Sequence, residues 1–173
     1  MMIESLSSKV FFSPPVAYLF PSLAAGLLLA SLRRTWTPLR ALYFSGVLVH
    51  EMLHLLVGFL TMAKPNSISL TPRVVNGRLV LGSVGFVGLN WWNAWLTGLA
   101  PLLALPIIYG AACWRLTHGP LHLHWGDVLL WLLIAPHYVN CWPSRADWAM
   151  VLISWPVFAL LGTIGGIWMW SLG

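Results

Sequence analysis

Five stretches of the chain are almost continuously apolar, and the polar residues gather between them. The runs lie at about 15–32, 41–62, 90–113, 126–140 and 148–172. At 1.5 Å per residue they are long enough to cross, or nearly cross, a hydrocarbon core of about 30 Å. The pattern predicts an all-α polytopic membrane protein with about five transmembrane helices, forming a single domain over 1–173. Pro14 and Pro15 suit the opening of the first helix. A cleaved signal peptide is the rival reading of that stretch, but the weakly positive start, Pro21 and the Arg33-Arg34 pair favour a retained anchor. Arg33, Arg34, Arg40 and Trp36 suit the headgroup level, as do Trp91, Trp92, Trp95, Trp168 and Trp170.

One interval breaks the helical pattern. Ser67–Val75, then Asn76-Gly77, then Arg78–Leu81 reads as two strands about a type I′ turn, a β-hairpin at about 67–81 that follows the second helix. Gly82, Gly85 and Gly88 recur every three residues, so the chain is expected to run irregularly there or to re-enter the bilayer. Such backbone is tolerated at depth only where protein or water covers it.

Composition agrees with the pattern. Of 173 residues, 59% are hydrophobic and 8% charged, too few charges to keep a soluble surface dispersed. The net charge of +5 suits anionic headgroups, and with no basic run or binding motif the expected partner is the lipid bilayer and not nucleic acid. Five crossings would divide the nine Lys and Arg four against five, so the positive-inside rule gives no orientation. Cys113 and Cys141 lack metal-type spacing and read as small hydrophobic residues. The only acids are Glu4, Glu51, Asp127 and Asp147, so any acid chemistry must use one of these.

Three ionisable residues stand in the middle of the second span, in His50-Glu51-Met52-Leu53-His54. Each costs about 2.5–3.5 kcal/mol at that depth on insertion scales, so a compensating partner is needed. Positions i and i+4 share a helix face, so both imidazoles can hold one Zn2+ while Glu51 stands beside it as general base. At this His and Glu content, chance gives on the order of 0.002 such matches. A catalytic zinc takes three protein ligands and keeps one position open. No Glu follows Glu51, and Leu60 stands where an extended motif would place a third His. Asp147, Asp127, His137 and the loop histidines His118, His122 and His124 remain. Asp147 is favoured, because its Pro-containing break falls on the side of the membrane toward which His54 points.

These residues carry a family resemblance. The His-Glu-x-x-His helix, the hairpin after it, Gly98-Leu-Ala-Pro101, and Asn140-Cys-Trp-Pro143 ahead of Asp147 resemble the site-2 proteases, intramembrane zinc metalloproteases. The likeness covers about 41–160. In that family an Asn-x-x-Pro stretch precedes Leu-Asp-Gly, whose Asp is the third ligand. Here Asn140 and Pro143 keep the spacing, Ala146-Asp147-Trp148 replaces Leu-Asp-Gly, and Gly98-x-x-Pro101 replaces Gly-Pro-x-x-Asn. The departures mark a divergent, minimal member. The resemblance implies zinc on His50, His54 and Asp147, and Asn140 as a substrate-orienting residue. It also implies a multi-pass protein, expected in a prokaryotic cell membrane.

The expected function is an intramembrane endopeptidase acting on transmembrane protein substrates through zinc-activated water, with Glu51 as general base. The alternative is a non-proteolytic zinc-binding membrane protein with a regulatory or transport role, using His118, His122, His124 and Asp127 as an entry site. A di-iron hydroxylase needs about eight clustered histidines, more than the six here.

Overall fold

The computed structural model describes residues 14–32, 37–71, 73–75, 78–119 and 122–172. The lead at 1–13, the turn at 33–36 and the Asn76-Gly77 turn lie outside them, so the type I′ geometry and the headgroup placement of Arg33, Arg34 and Trp36 fall outside the described residues. The described chain is mostly helical. Helices α1 (Pro14–Leu32) and α2 (Thr37–Leu60) precede strands β1 (Pro65–Ser69), β2 (Arg73–Val75), β3 (Arg78–Val80) and β4 (Ser83–Phe86). Helix α3 (Ala94–Leu99) then passes through a 3-10 turn (Ala100–Leu103) into α4 (Ala104–His118). Helices α5 (Trp125–Asn140), α6 (Arg145–Ile153) and α7 (Trp155–Leu172) complete the order. The chain forms two compact units, Met1–Val49 with Leu102–Trp142, and His50–Pro101 with Pro143–Gly173.

In the first unit α1 lies along α5. Its buried residues Tyr18, Ser22, Gly26 and Leu29 fall four, four and three apart, which is one helix face. Gly26 permits the approach, since a Cβ there would stand 2.6 Å from the Ala135 carbonyl oxygen. Asp127, in the first turn of α5, is wholly buried, and a buried carboxylate must be paired. It is paired several times over. Arg115 grips it with Nε to Oδ1 at 2.6 Å and Nη2 to Oδ2 at 2.8 Å, the Tyr18 hydroxyl donates to Oδ1 at 2.6 Å, and the His124 backbone N–H donates to Oδ2 at 2.8 Å. This cluster pins α1, α4 and α5 together.

The second unit begins with the C-terminal half of α2. That helix starts at Thr37, four residues before the hydrophobic run, because Pro38 suits a first turn. It ends where Met62 takes a positive φ of 57° and Ala63 N–H bonds back to the Gly58 carbonyl at 2.8 Å. Buried Asn93 ties that end down, donating to the Thr61 and Gly88 carbonyls at 3.2 and 3.1 Å. The strands form two nested antiparallel pairs. Arg73–Val75 pairs with Arg78–Val80 as the hairpin reading expects, with Val75 opposite Arg78. The stretch at 67–69 pairs elsewhere: Ser67 faces Gly85 and Ser69 faces Ser83. The glycine-rich interval therefore contains a strand, Ser83–Phe86, where an irregular course was expected. The ladder is interrupted between Ser69 and Arg73, where the sequence has Pro72, a residue with no N–H to donate.

Three helical segments are long and apolar enough to cross a membrane: Pro14–Leu32, Thr37–Leu60 and Ala94–His118. Exposed Leu27, Leu28, Phe59 and Ile107 on them suit lipid better than water. The last hydrophobic run, expected as one span at 148–172, is a pair of helices bent by 64°, and it makes a fourth if the pair is one span. Ser154 sits in the bend, wholly buried, and its Oγ accepts the Trp95 N–H at 3.0 Å. Pro156 follows and has no N–H to continue a straight helix. Helix α5 has 16 residues, about 24 Å of rise, which is shorter than a typical hydrocarbon core.

Candidate metal centre

The helical repeat of α2 brings His50 and His54 together. Their Nε2 atoms stand 3.2 Å apart, and the rings meet edge to face. The third residue comes from another helix. Asp147 is the N3 residue of α6, where Ser144 and Asp147 form a reciprocal capping box: the Ser144 N–H donates to Oδ2, and the Asp147 N–H donates to Ser144 Oγ at 3.3 Å. The carboxylate, held by that box, places Oδ1 3.0 Å from His54 Nε2 and Oδ2 3.3 Å from His50 Nε2. Among the described residues this is the one His/Cys/Asp/Glu group arranged to hold a metal ion.

The protonation pattern shows why a cation suits the cluster. His54 Nδ1 lies 2.7 Å from the Thr97 carbonyl oxygen, which can only accept, so Nδ1 carries the proton and donates it. A neutral His54 therefore turns a bare Nε2 lone pair toward a carboxylate oxygen and a second imidazole nitrogen. The carboxylate can only accept, so either a proton on His50 Nε2 or a cation among these atoms satisfies the 3.0–3.3 Å contacts. One ligand atom from each of the three residues lies within 4.8 Å of the others, close enough to share one ion. The residues present fit a metal ion.

Glu51 is next to His50 on α2 and is buried, 8% exposed. Gly82, just before β4, lies against its side chain: a Cβ at that position would fall 2.7 Å from Glu51 Cγ and 3.2 Å from Oε1. A second glycine sets the distance between helices. A Cβ at Gly98 of α3 would stand 2.7 Å from the Asp147 carbonyl oxygen and 2.8 Å from Val151 Cγ2. The bare backbone at Gly98 is thus what lets α6 come close enough to present Asp147.

The structure brings together His50, His54 and Asp147, with Glu51 beside them. The other candidates, His118, His122, His124, Asp127, His137 and Asn140, belong to the first unit. Both carboxylate oxygens of Asp127 are occupied by Arg115, Tyr18 and His124, so Asp127 serves neither as the third ligand nor as part of an entry site. His124 caps α5, its Nδ1 accepting the Gly126 N–H at 2.9 Å, and His118 Nδ1 is 2.7 Å from the Thr117 hydroxyl. The Asn140 amide donates to the Pro136 carbonyl at 2.8 Å and to that of Tyr43 at 3.4 Å. Thr97 is the residue that sequence reasoning missed. Its signal is Pro101, four positions on, which has no N–H for the Thr97 carbonyl. Comparison with protein-family models, with curated proteins and with solved structures gives no match.

Proposed function

We propose that the chain is a zinc-dependent endopeptidase that cleaves membrane-embedded protein substrates, similar to the site-2 proteases. One observation carries the reading. Three ligand-type atoms converge on a buried face of a membrane-length helix, and that helix supplies a carboxylate, Glu51, next to them. Two imidazoles and a carboxylate without thiolate suit zinc among the divalent ions. His50, His54 and Asp147 hold it. When bound, the ion supplies Lewis acidity, which makes water acidic and polarises a peptide carbonyl. Glu51 takes the proton from the attacking water and returns it to the leaving amine as the C–N bond breaks. Its burial keeps bulk water from competing for that proton.

Asn140 orients the substrate backbone in this scheme, a role supported by the Asn-x-x-Pro spacing alone. The strands after α2 are suited to hold an unwound, extended substrate segment by strand addition. The proposed topology has five crossings of a prokaryotic cell membrane, with α5 as a short span and α6–α7 as a bent one. Glu51→Gln tests the reading. The variant, purified in detergent, should keep zinc at wild-type stoichiometry and lose cleavage of a transmembrane substrate. Wild-type cleavage by the zinc-loaded variant would remove Glu51 from the chemistry. A zinc-loaded wild type that cuts no membrane substrate would leave a non-proteolytic zinc protein.

A further inference from the structure

A ligating histidine must keep the proton off the nitrogen that meets the metal, and the partner of its other nitrogen decides where the proton sits. For His54 that partner is a backbone carbonyl inside a helix, a group that is ordinarily engaged. In a regular α-helix the Thr97 oxygen would accept the N–H of residue 101. Residue 101 is proline, so that donor does not exist. The helix tightens instead into the 3-10 turn Ala100–Leu103, and the Ala100 N–H bonds the Thr97 oxygen from three residues on. A carbonyl oxygen has two lone pairs, and the second is met by His54 Nδ1 at 2.7 Å. Thr97 is wholly buried and His54 is 2% exposed, which makes this oxygen the acceptor at hand for an Nδ1–H kept from water.

We infer that Pro101 is a positioning residue for the metal centre: by withholding the α-helical N–H it leaves the Thr97 carbonyl to the shorter 3-10 bond from Ala100, an orientation in which the oxygen's second lone pair meets His54 Nδ1–H and turns Nε2 toward the ion. The inference rests on the metal reading and deepens it. It gives the Gly98-Leu-Ala-Pro101 stretch two separate effects on one site, since Gly98 admits α6 with Asp147 and Pro101 orients His54.

The test compares zinc affinity, by chelator competition, in full-length wild type and Pro101→Ala, with Pro106→Ala as the control for losing a proline from the same helical stretch. The alanine N–H at 101 competes for the Thr97 oxygen, and loss of a supporting partner of this kind costs about 10–100-fold in metal affinity. P101A should fall in that range and P106A should stay within twofold of wild type. Proton NMR of the zinc-loaded wild type gives a second readout that does not depend on the variant folding. It should show a downfield imidazole N–H, slow to exchange with solvent and absent from His54→Asn. In P101A that resonance should move upfield and exchange faster. Equal affinities for wild type and P101A, or no protected imidazole N–H in the loaded wild type, would overturn the inference and leave the metal centre standing. A wild type that binds no zinc would overturn both.

Discussion

Adding one methyl group at Gly98 should weaken metal binding without touching any ligating atom. The Cβ of Gly98→Ala would lie 2.7 Å from the Asp147 carbonyl oxygen, 2.8 Å from Val151 Cγ2 and 3.3 Å from the Val151 backbone nitrogen. Two of the three atoms are backbone, so no side-chain rotation relieves the clash. Ordinary contact begins near 3.4 Å, so α6 must recede by about 0.7 Å at its first turn. Asp147 rides on that turn, and a metal site tolerates ligand displacements of only about 0.2 Å. Overpacking of this kind costs about 1–3 kcal/mol. In the metal-free protein much of the strain is relieved by letting α6 move; in the loaded protein it is not, because the ligands must converge. Since about 1.4 kcal/mol is a factor of ten, zinc affinity should fall about 10–100-fold. Chelator competition on the detergent-purified protein measures the affinity, and thermal melts of the metal-free form report its folding. An affinity within twofold of wild type, with an unchanged melt, would show that the α3–α6 contact does not place Asp147.

Gly82→Ala should separate binding from catalysis: the new Cβ would stand 2.7 Å from Glu51 Cγ and push the proposed base, so cleavage should drop about 100-fold with zinc affinity unchanged. Tyr18→Phe removes a 2.6 Å hydrogen bond to the buried Asp127 carboxylate. A bond to a charged group is worth about 1.5–3 kcal/mol. The melting temperature should therefore fall while zinc affinity, set by residues of the other unit, stays as it was. An unchanged melt would mean that Arg115 and the His124 N–H satisfy Asp127 without the hydroxyl.

What was legible in the sequence follows from how local each signal is. His50, Glu51 and His54 are read directly, because a spacing of four on a helix is a geometric statement needing no partner. Asp147 was within reach because the chain has only four acids. A second signal lay beside it: Ser144-Arg-Ala-Asp147 is a capping-box pattern, and it marks the first turn of the helix that presents the carboxylate. Strand β4 was not legible. Gly82, Gly85 and Gly88 depress strand propensity, and its partner β1 is separated from it by the inner hairpin. The bend at Ser154 was hidden inside a continuous apolar run, where hydropathy is blind to the loss of an N–H at Pro156.

Thr97 was hidden for a different reason. It acts through its backbone oxygen, so its side-chain type carries no information about the role, and no motif built from residue identities would name it. What the sequence does record is the residue that disables the competing donor. A proline four positions after a buried helical residue leaves a carbonyl without its ordinary partner, and in an apolar segment that vacancy must be filled by a 3-10 bond, a side chain or a water. Here the first two fill it together, and the side chain is a ligating histidine. The same consideration applies to Pro136 inside α5, whose missing N–H would have met the Leu132 carbonyl. In a membrane-length helix a proline is thus a statement about the residue four positions before it. At Pro101 that residue faces the proposed metal centre.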